Sequence, residues 1–129
     1  MNSQVVRDFW LEEATEALKV ANHLFEKEDY SYALFFGHLA VEKLLKAIYA
    51  ANRSEQAPYI HNLTRLAELA GIEATEDQKN SLIRITAYNL ESRYPDEKRS
   101  FREKCTEDFT RNELSIIGEV FRWLRSMLP

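Results

Sequence analysis

Apolar and polar positions recur along this chain with a helical period, and the longest apolar stretch runs from Tyr30 to Ala51, YSYALFFGHLAVEKLLKAIYAA. At about 100° per residue, Ala33, Leu34, Phe36, Gly37, Ala40, Val41, Leu44, Leu45, Ala47 and Ile48 fill one continuous half of a helix that must be buried. The other half carries Tyr32, Phe35, His38, Leu39, Glu42, Lys43, Lys46 and Tyr49, a mixture of rings, aliphatic groups and charges unlike a solvated face. A central helix whose second face carries function is one reading. The plainer one is a core helix whose long polar side chains lie across apolar neighbours and keep their charged ends in water.

The flanking segments repeat the pattern. From about Ser3 to Lys27, Trp10, Ala14, Ala17, Leu18, Ala21, Leu24 and Phe25 share a face, and His23 falls on the opposite, solvated side. Asp29 is placed to cap the central helix, and so close a connection predicts antiparallel packing of the first two helices. Pro58 marks a surface loop after Ala51; Asn62 then caps a short helix containing Leu63, Leu66, Ala67 and Leu69, which Gly71 ends. Thr75 and Gln78 have the spacing of a capping box, and the helix they open buries Leu82, Ile83, Thr86, Ala87 and Leu90 while Arg84, Tyr88 and Glu91 form a stripe facing solvent or a partner. Arg93 to Lys104 reads as a charged connection, with Pro95 holding Arg93 and Tyr94 extended. A last helix starts between Thr106 and Thr110 and buries Phe109, Ile116, Ile117, Val120, Phe121, Trp123, Leu124 and Met127. The predicted fold class is all-α, an up-and-down four-helix bundle with an additional short helix.

Composition narrows the possibilities. The 129 residues suffice for one domain spanning 1–129, and only three Gly and three Pro disfavour a β architecture. A net charge of −4 argues against a broad grip on nucleic acid, so any polyanion must be met locally. Cys105 is the single cysteine and reads as a free thiol; no metal or cofactor is expected. The N-terminal stretch has acidic residues where a secretory signal has an apolar core, and no run reaches membrane-span length, so a cytoplasmic location is the expectation.

No glycine-rich phosphate loop, paired-histidine zinc helix or calcium loop is present, and no serine sits in a nucleophile elbow. What remains is the second face of the central helix. His38, Glu42 and Lys46 are successive i, i+4 neighbours with Lys43 beside them, and ammonium groups near stackable rings suit a phosphate and a base. Glu42 could equally pair with the lysines as an ordinary helix neighbour.

Tyr30-Ser31-Tyr32-Ala33, Ala40-Val41-Glu42-Lys43-Leu44-Leu45-Lys46-Ala47, His61-Asn62-Leu63 and Ser92-Arg93-Tyr94-Pro95, in that order, resemble the HEPN domain (higher eukaryotes and prokaryotes nucleotide-binding) over nearly the whole chain. The resemblance implies a helical bundle that forms homodimers and, in stand-alone prokaryotic members, a minimal nucleotidyltransferase partner in toxin-antitoxin-like pairs. The candidate ligand residues are Lys43, Lys46, His61, Arg93 and Tyr94. Ribonuclease members carry an Arg followed by four to six residues and a His. Here the nearest match, Arg53 to His61, has a longer, proline-containing gap, and Tyr88 to Tyr94 supplies neither the leading Arg nor the His, so no catalytic residue is assigned. The expected function is a module binding a nucleotide or other phosphate-bearing ligand. A divergent metal-independent ribonuclease acting through His61 or Arg93, and a protein-interaction module, are the alternatives. The homodimer is also motivated by bulk outside the buried faces, at Phe35, Leu39, Tyr49 and Tyr88.

Overall fold

The computed structural model describes residues 2–128. Its helices are α1 (Ser3–Glu26), α2 (Tyr30–Arg53), α3 (Leu63–Leu69), α4 (Glu76–Thr86), α5 (Pro95–Lys104) and α6 (Glu107–Arg125), with a 3-10 turn at Leu90–Ser92, and no strand occurs among the described residues.

α1 starts where the Asn2 side chain accepts the Gln4 N–H at 2.8 Å. Ala14, Ala17 and Ala21 form its buried line, small enough for α1 to lie close along α2. Phe25 meets Tyr30 at one end of the pair and Trp10 meets Lys46 near the other, so the two helices run antiparallel as expected. Asp29 occupies the expected cap position of α2, but its side chain makes no capping hydrogen bond.

α2 is the axis of the fold, packed by α1, α3, α4, α5 and α6. The expectation of a half-open helix is corrected: Phe35, His38, Glu42 and Lys46, all on the supposed second face, are buried, while Phe36 is only half-buried. The loop between α2 and α3 reaches that face through His61 and Tyr59, and Trp10 of α1 lies against Lys46. α6 crosses α2 at Gly37, where a Cβ would fall 2.6 Å from Ile117 Cδ1.

The short helix and its neighbour form as their caps dictate. Asn62 accepts the Arg65 N–H at 3.0 Å, Gly71 turns with φ +83°, and Thr75 and Gln78 exchange both capping-box bonds at 2.9 and 3.2 Å. α4 stops earlier than its apolar period suggests. Arg93 reaches back to donate to the Ala87 carbonyl, satisfying that helix end, and Leu90 packs inward from the 3-10 turn. The stripe of Arg84, Tyr88 and Glu91 is corrected accordingly: Tyr88 is buried, and Arg84 and Tyr88 both turn onto Glu113 of α6.

The charged connection is also corrected, since most of it is α5. Pro95 sits in its first turn with Asp96 and Glu97, and Arg102 and Lys104 lie in its last, a charge order that suits the helix dipole. Only Phe101 is buried on α5, so no apolar period announces this helix. α6 is capped by Thr106, which accepts the Phe109 N–H at 3.2 Å. Of the bulky groups that motivated a dimer, Phe35 and Tyr88 are buried and Leu39 and Tyr49 pack partly buried against the core, so all four are satisfied within one chain. The large apolar and aromatic groups left exposed are instead Val5, Phe9, Tyr32, Tyr59, Ile83, Tyr94 and Met127.

Candidate functional site

The middle of α2 presents Glu42 toward the loop that follows the helix. Its carboxylate, buried with the rest of the residue, accepts a hydrogen bond from His61 Nδ1 at 2.8 Å and lies 3.3 Å from the Lys46 ammonium. A carboxylate only accepts, so the proton of this imidazole sits on Nδ1, and Nε2 lies at the far edge of a side chain that is 43% exposed. Tyr59 packs edge-on against His61 with centroids 5.0 Å apart and is almost wholly exposed on its other side. The helix capped by Asn62 starts immediately after His61, which fixes where the imidazole can point.

Lys46 is less available than its sequence position suggests. It is 8% exposed, its ammonium lies over the Trp10 ring at 4.8 Å and the Tyr59 ring at 5.8 Å, and Glu42 neutralises it. Lys43 is half-buried, 5.9 Å from the centroid of the same Trp10 ring, and no carboxylate pairs with it among the described residues. His38 completes the cluster from one turn before Glu42. It is fully buried, stacks on Phe35, and approaches the Glu42 carboxylate to 3.8 Å, beyond hydrogen-bond reach, so neither ring nitrogen has a partner. Burial pushes the His38 imidazole down, against the opposing pull of Glu42.

The structure thus gathers Lys46 and His61 on Glu42, with Lys43 linked to them only through the Trp10 ring that it shares with Lys46, but does not bring in Arg93 and Tyr94. Arg93 is spent on the Ala87 carbonyl and stacks over Phe101 at 4.8 Å, and Tyr94 is exposed at the start of α5. No hydrogen bond, ion pair or ring contact joins either residue to the Glu42 cluster among the described residues. Arg53 does not approach His61 as a catalytic pair would: its Nε donates to the Leu69 carbonyl at 2.9 Å at the end of α3. Trp10 and Tyr59 were missed as site residues. Trp10 reads from sequence as one more apolar position of α1, and Tyr59 lies in a loop with no period.

A second buried carboxylate, Glu113, is gripped by Arg84 through Nε at 2.5 Å and Nη2 at 2.6 Å and accepts the Tyr88 hydroxyl. Burial would raise this carboxyl, but the Arg84 fork and the Tyr88 hydroxyl together hold it below the usual carboxylate range. Burial and the Glu113 carboxylate push the Tyr88 phenol up. Cys105, a buried free thiol, is pushed up to about 11, chiefly by burial, which leaves little thiolate at neutral pH. Among the described residues no three His, Cys, Asp or Glu side chains are arranged to hold a metal, and no helix is long and apolar enough to cross a membrane.

Comparison with known proteins agrees with this architecture. A family model described as the HEPN domain matches residues 8–127. A search of curated proteins finds no match. Among solved structures, TT1696 from Thermus thermophilus superposes with a TM-score of 0.80 at 24% identity, over 99% of this chain and 100% of that one, a likeness of fold.

Proposed function

The chain belongs to the HEPN domain family, and from that premise and the geometry of α2 we propose that it is a binding module for a nucleotide or another phosphate-bearing ligand, received where His61 and Tyr59 meet the rim of α2. One observation carries the reading: the bond between His61 Nδ1 and the buried Glu42 carboxylate fixes the imidazole and leaves Nε2 for a ligand. Protonated, Nε2 donates to a phosphate oxygen, Lys43 adds charge from the same helix, and the exposed Tyr59 ring offers a stacking face. Lys46 is assigned a positioning role. Its ammonium balances Glu42 and holds the carboxylate in place for His61. Arg93 and Tyr94 lie outside this rim and would meet a ligand only if it extended toward α5.

We take the active unit to be a homodimer, supported by the exposed Val5 and Phe9 on α1 and the exposed Tyr32 on α2, and a minimal nucleotidyltransferase to be the partner protein. The carboxylate–imidazole pair also favours a second reading, acid–base cleavage of RNA through His61, since a carboxylate-oriented histidine is what proton transfer requires. That reading lacks the arginine partner, since Arg53 is held on the Leu69 carbonyl.

Calorimetry with ATP, GTP and a dinucleotide separates these readings. Binding that weakens about tenfold or more in His61→Ala and less in Lys43→Ala, with Lys19→Ala unchanged, supports the module. Equal affinity in all four proteins removes the His61 rim as the site, and no binding to any leaves the protein-interaction role.

A further inference from the structure

His38 on α2 is fully buried, and neither of its ring nitrogens has a hydrogen-bond partner. An imidazole N–H left unmet in the interior forfeits a hydrogen bond that water would supply, so it calls for a physical reason. The neighbouring carboxylate offers one. His38 Nε2 lies 3.8 Å from Glu42 Oε1, the same oxygen that His61 Nδ1 holds at 2.8 Å, while Lys46 meets Oε2 at 3.3 Å. The main chain of His61 and the Glu91 carboxylate also act on His38, but neither completes a hydrogen bond to it. One carboxylate oxygen thus stands between two imidazoles, a surface one that is bonded and a buried one that is not. The surface one is also the more easily moved. Its stretch, from Ser54 in a left-handed conformation to Asn62, is mostly exposed, and the backbone hydrogen bond within it joins Ile60 to Pro58.

We propose that His38 is a reserve donor for Glu42: when His61 swings outward, Oε1 turns to His38 Nε2 and accepts a hydrogen bond from it, and it returns when His61 closes. No proton is transferred, since each imidazole donates a hydrogen bond and keeps its hydrogen. Burial keeps the His38 ring neutral near pH 7, and because a carboxylate only accepts, the hydrogen sits on Nε2 in this exchange. The movement is small, from 3.8 Å to an ordinary N–H···O length of about 3 Å. Without the handover Glu42 would keep Lys46 alone, and a buried carboxylate that loses a partner is strongly destabilised. The handover therefore lowers the cost of opening the rim, which lets a ligand enter and leave. That use rests on the His61 rim being a ligand site; the handover itself does not.

A double-mutant cycle in urea unfolding of the full chain at pH 7.5, without ligand, tests the handover. His61→Ala alone should lower the folding equilibrium constant only about threefold, because His38 takes over Oε1. In the His38→Leu background the same change should lower it about thirtyfold, and in His38→Gln, whose amide donates from a similar position, the small effect should return. A His38 that merely packs gives equal losses in all three backgrounds, and that result overturns the proposal. Side-chain NMR of His61→Ala supplies a second reading that needs no change at His38. There the His38 Nε2 proton should move downfield, as a proton newly hydrogen-bonded to a carboxylate does, and a signal left where it stands in the wild type overturns the proposal as well. Because both measurements omit ligand, their failure leaves the His61 rim to be judged by calorimetry alone.

Discussion

Glu42 and Glu113 are both carboxylates sealed inside the bundle, the first on α2 and the second on α6. Around Glu113 the fold supplies a two-pronged guanidinium and a phenol, so both carboxylate oxygens are engaged. Around Glu42 it supplies one ammonium and one imidazole, and the imidazole opens toward the surface, while neither ring nitrogen of a second imidazole nearby, His38, has a hydrogen-bond partner. Both carboxylates have a partner that reaches the surface, Arg84 at 52% and His61 at 43% side-chain exposure, so the difference lies in what the partner keeps. Arg84 grips Glu113 with two prongs, as a brace, whereas His61 meets Glu42 through Nδ1 alone and keeps Nε2.

Arg84→Ala should show the brace most clearly. It leaves the Glu113 charge buried with only Tyr88, and the loss should be about 3 kcal/mol in urea unfolding, since stranding a buried charge costs more than its pair contributes. Nucleotide affinity of the folded protein should stay unchanged. Lys46→Ala should cost about 2 kcal/mol, because His61 still meets Glu42 after the ammonium is gone. If Lys46→Ala is silent in unfolding, the lysine is ordinary surface charge and the contrast between the two carboxylates collapses.

Much of this contrast could be anticipated along α2, where His38, Glu42 and Lys46 follow one another at helical spacing. The caps at Asn62 and Thr75 were equally plain, because capping is a local hydrogen-bond pattern that tertiary packing does not need to complete. What periodicity could not show is what covers the helix. Glu42 and Lys46 look solvated until a loop closes over them, and nothing in the Asn52–Asn62 stretch announces that Tyr59 will reach Lys46. α5 was hidden for a related reason, since one buried Phe101 in a run of charges gives no period to read. The joining of Arg84 and Tyr88 to Glu113, more than two dozen residues away in sequence, is a tertiary contact with no local signature.

A smaller effect separates the two regions by pH. Burial holds His38 below its ordinary value, with Glu42 and Glu91 opposing the shift, so the unfolded chain takes up this proton more readily than the folded one. Stability from this residue is full above about pH 6.5 and is lost as pH falls below it. Unfolding curves at pH 7.5 and 5.5 should show wild type losing about 1 kcal/mol more than His38→Leu. Parallel losses in the two proteins would mean that His38 is not the titrating group.

The smallest expected signal is an absence. Incubation with structured and single-stranded RNA should give no cleavage above background, because Arg53 is held at the end of α3 and no contact joins another guanidinium to His61 among the described residues. Cleavage that disappears in His61→Ala would show instead that the Glu42–His61 pair works as a catalytic base.

The imidazole of His61 reports most directly on the central claim that Glu42 orients this ring for a ligand. In long-range nitrogen–proton NMR of the histidine side chains, ATP should shift the Nε2 signal of His61 while its Nδ1 proton remains hydrogen-bonded, and the His23 signals on the solvated face of α1 should not move. If saturating ATP leaves both His61 signals where they were, the ring is a loop side chain anchored to a buried carboxylate, and the α2 rim is not a ligand site.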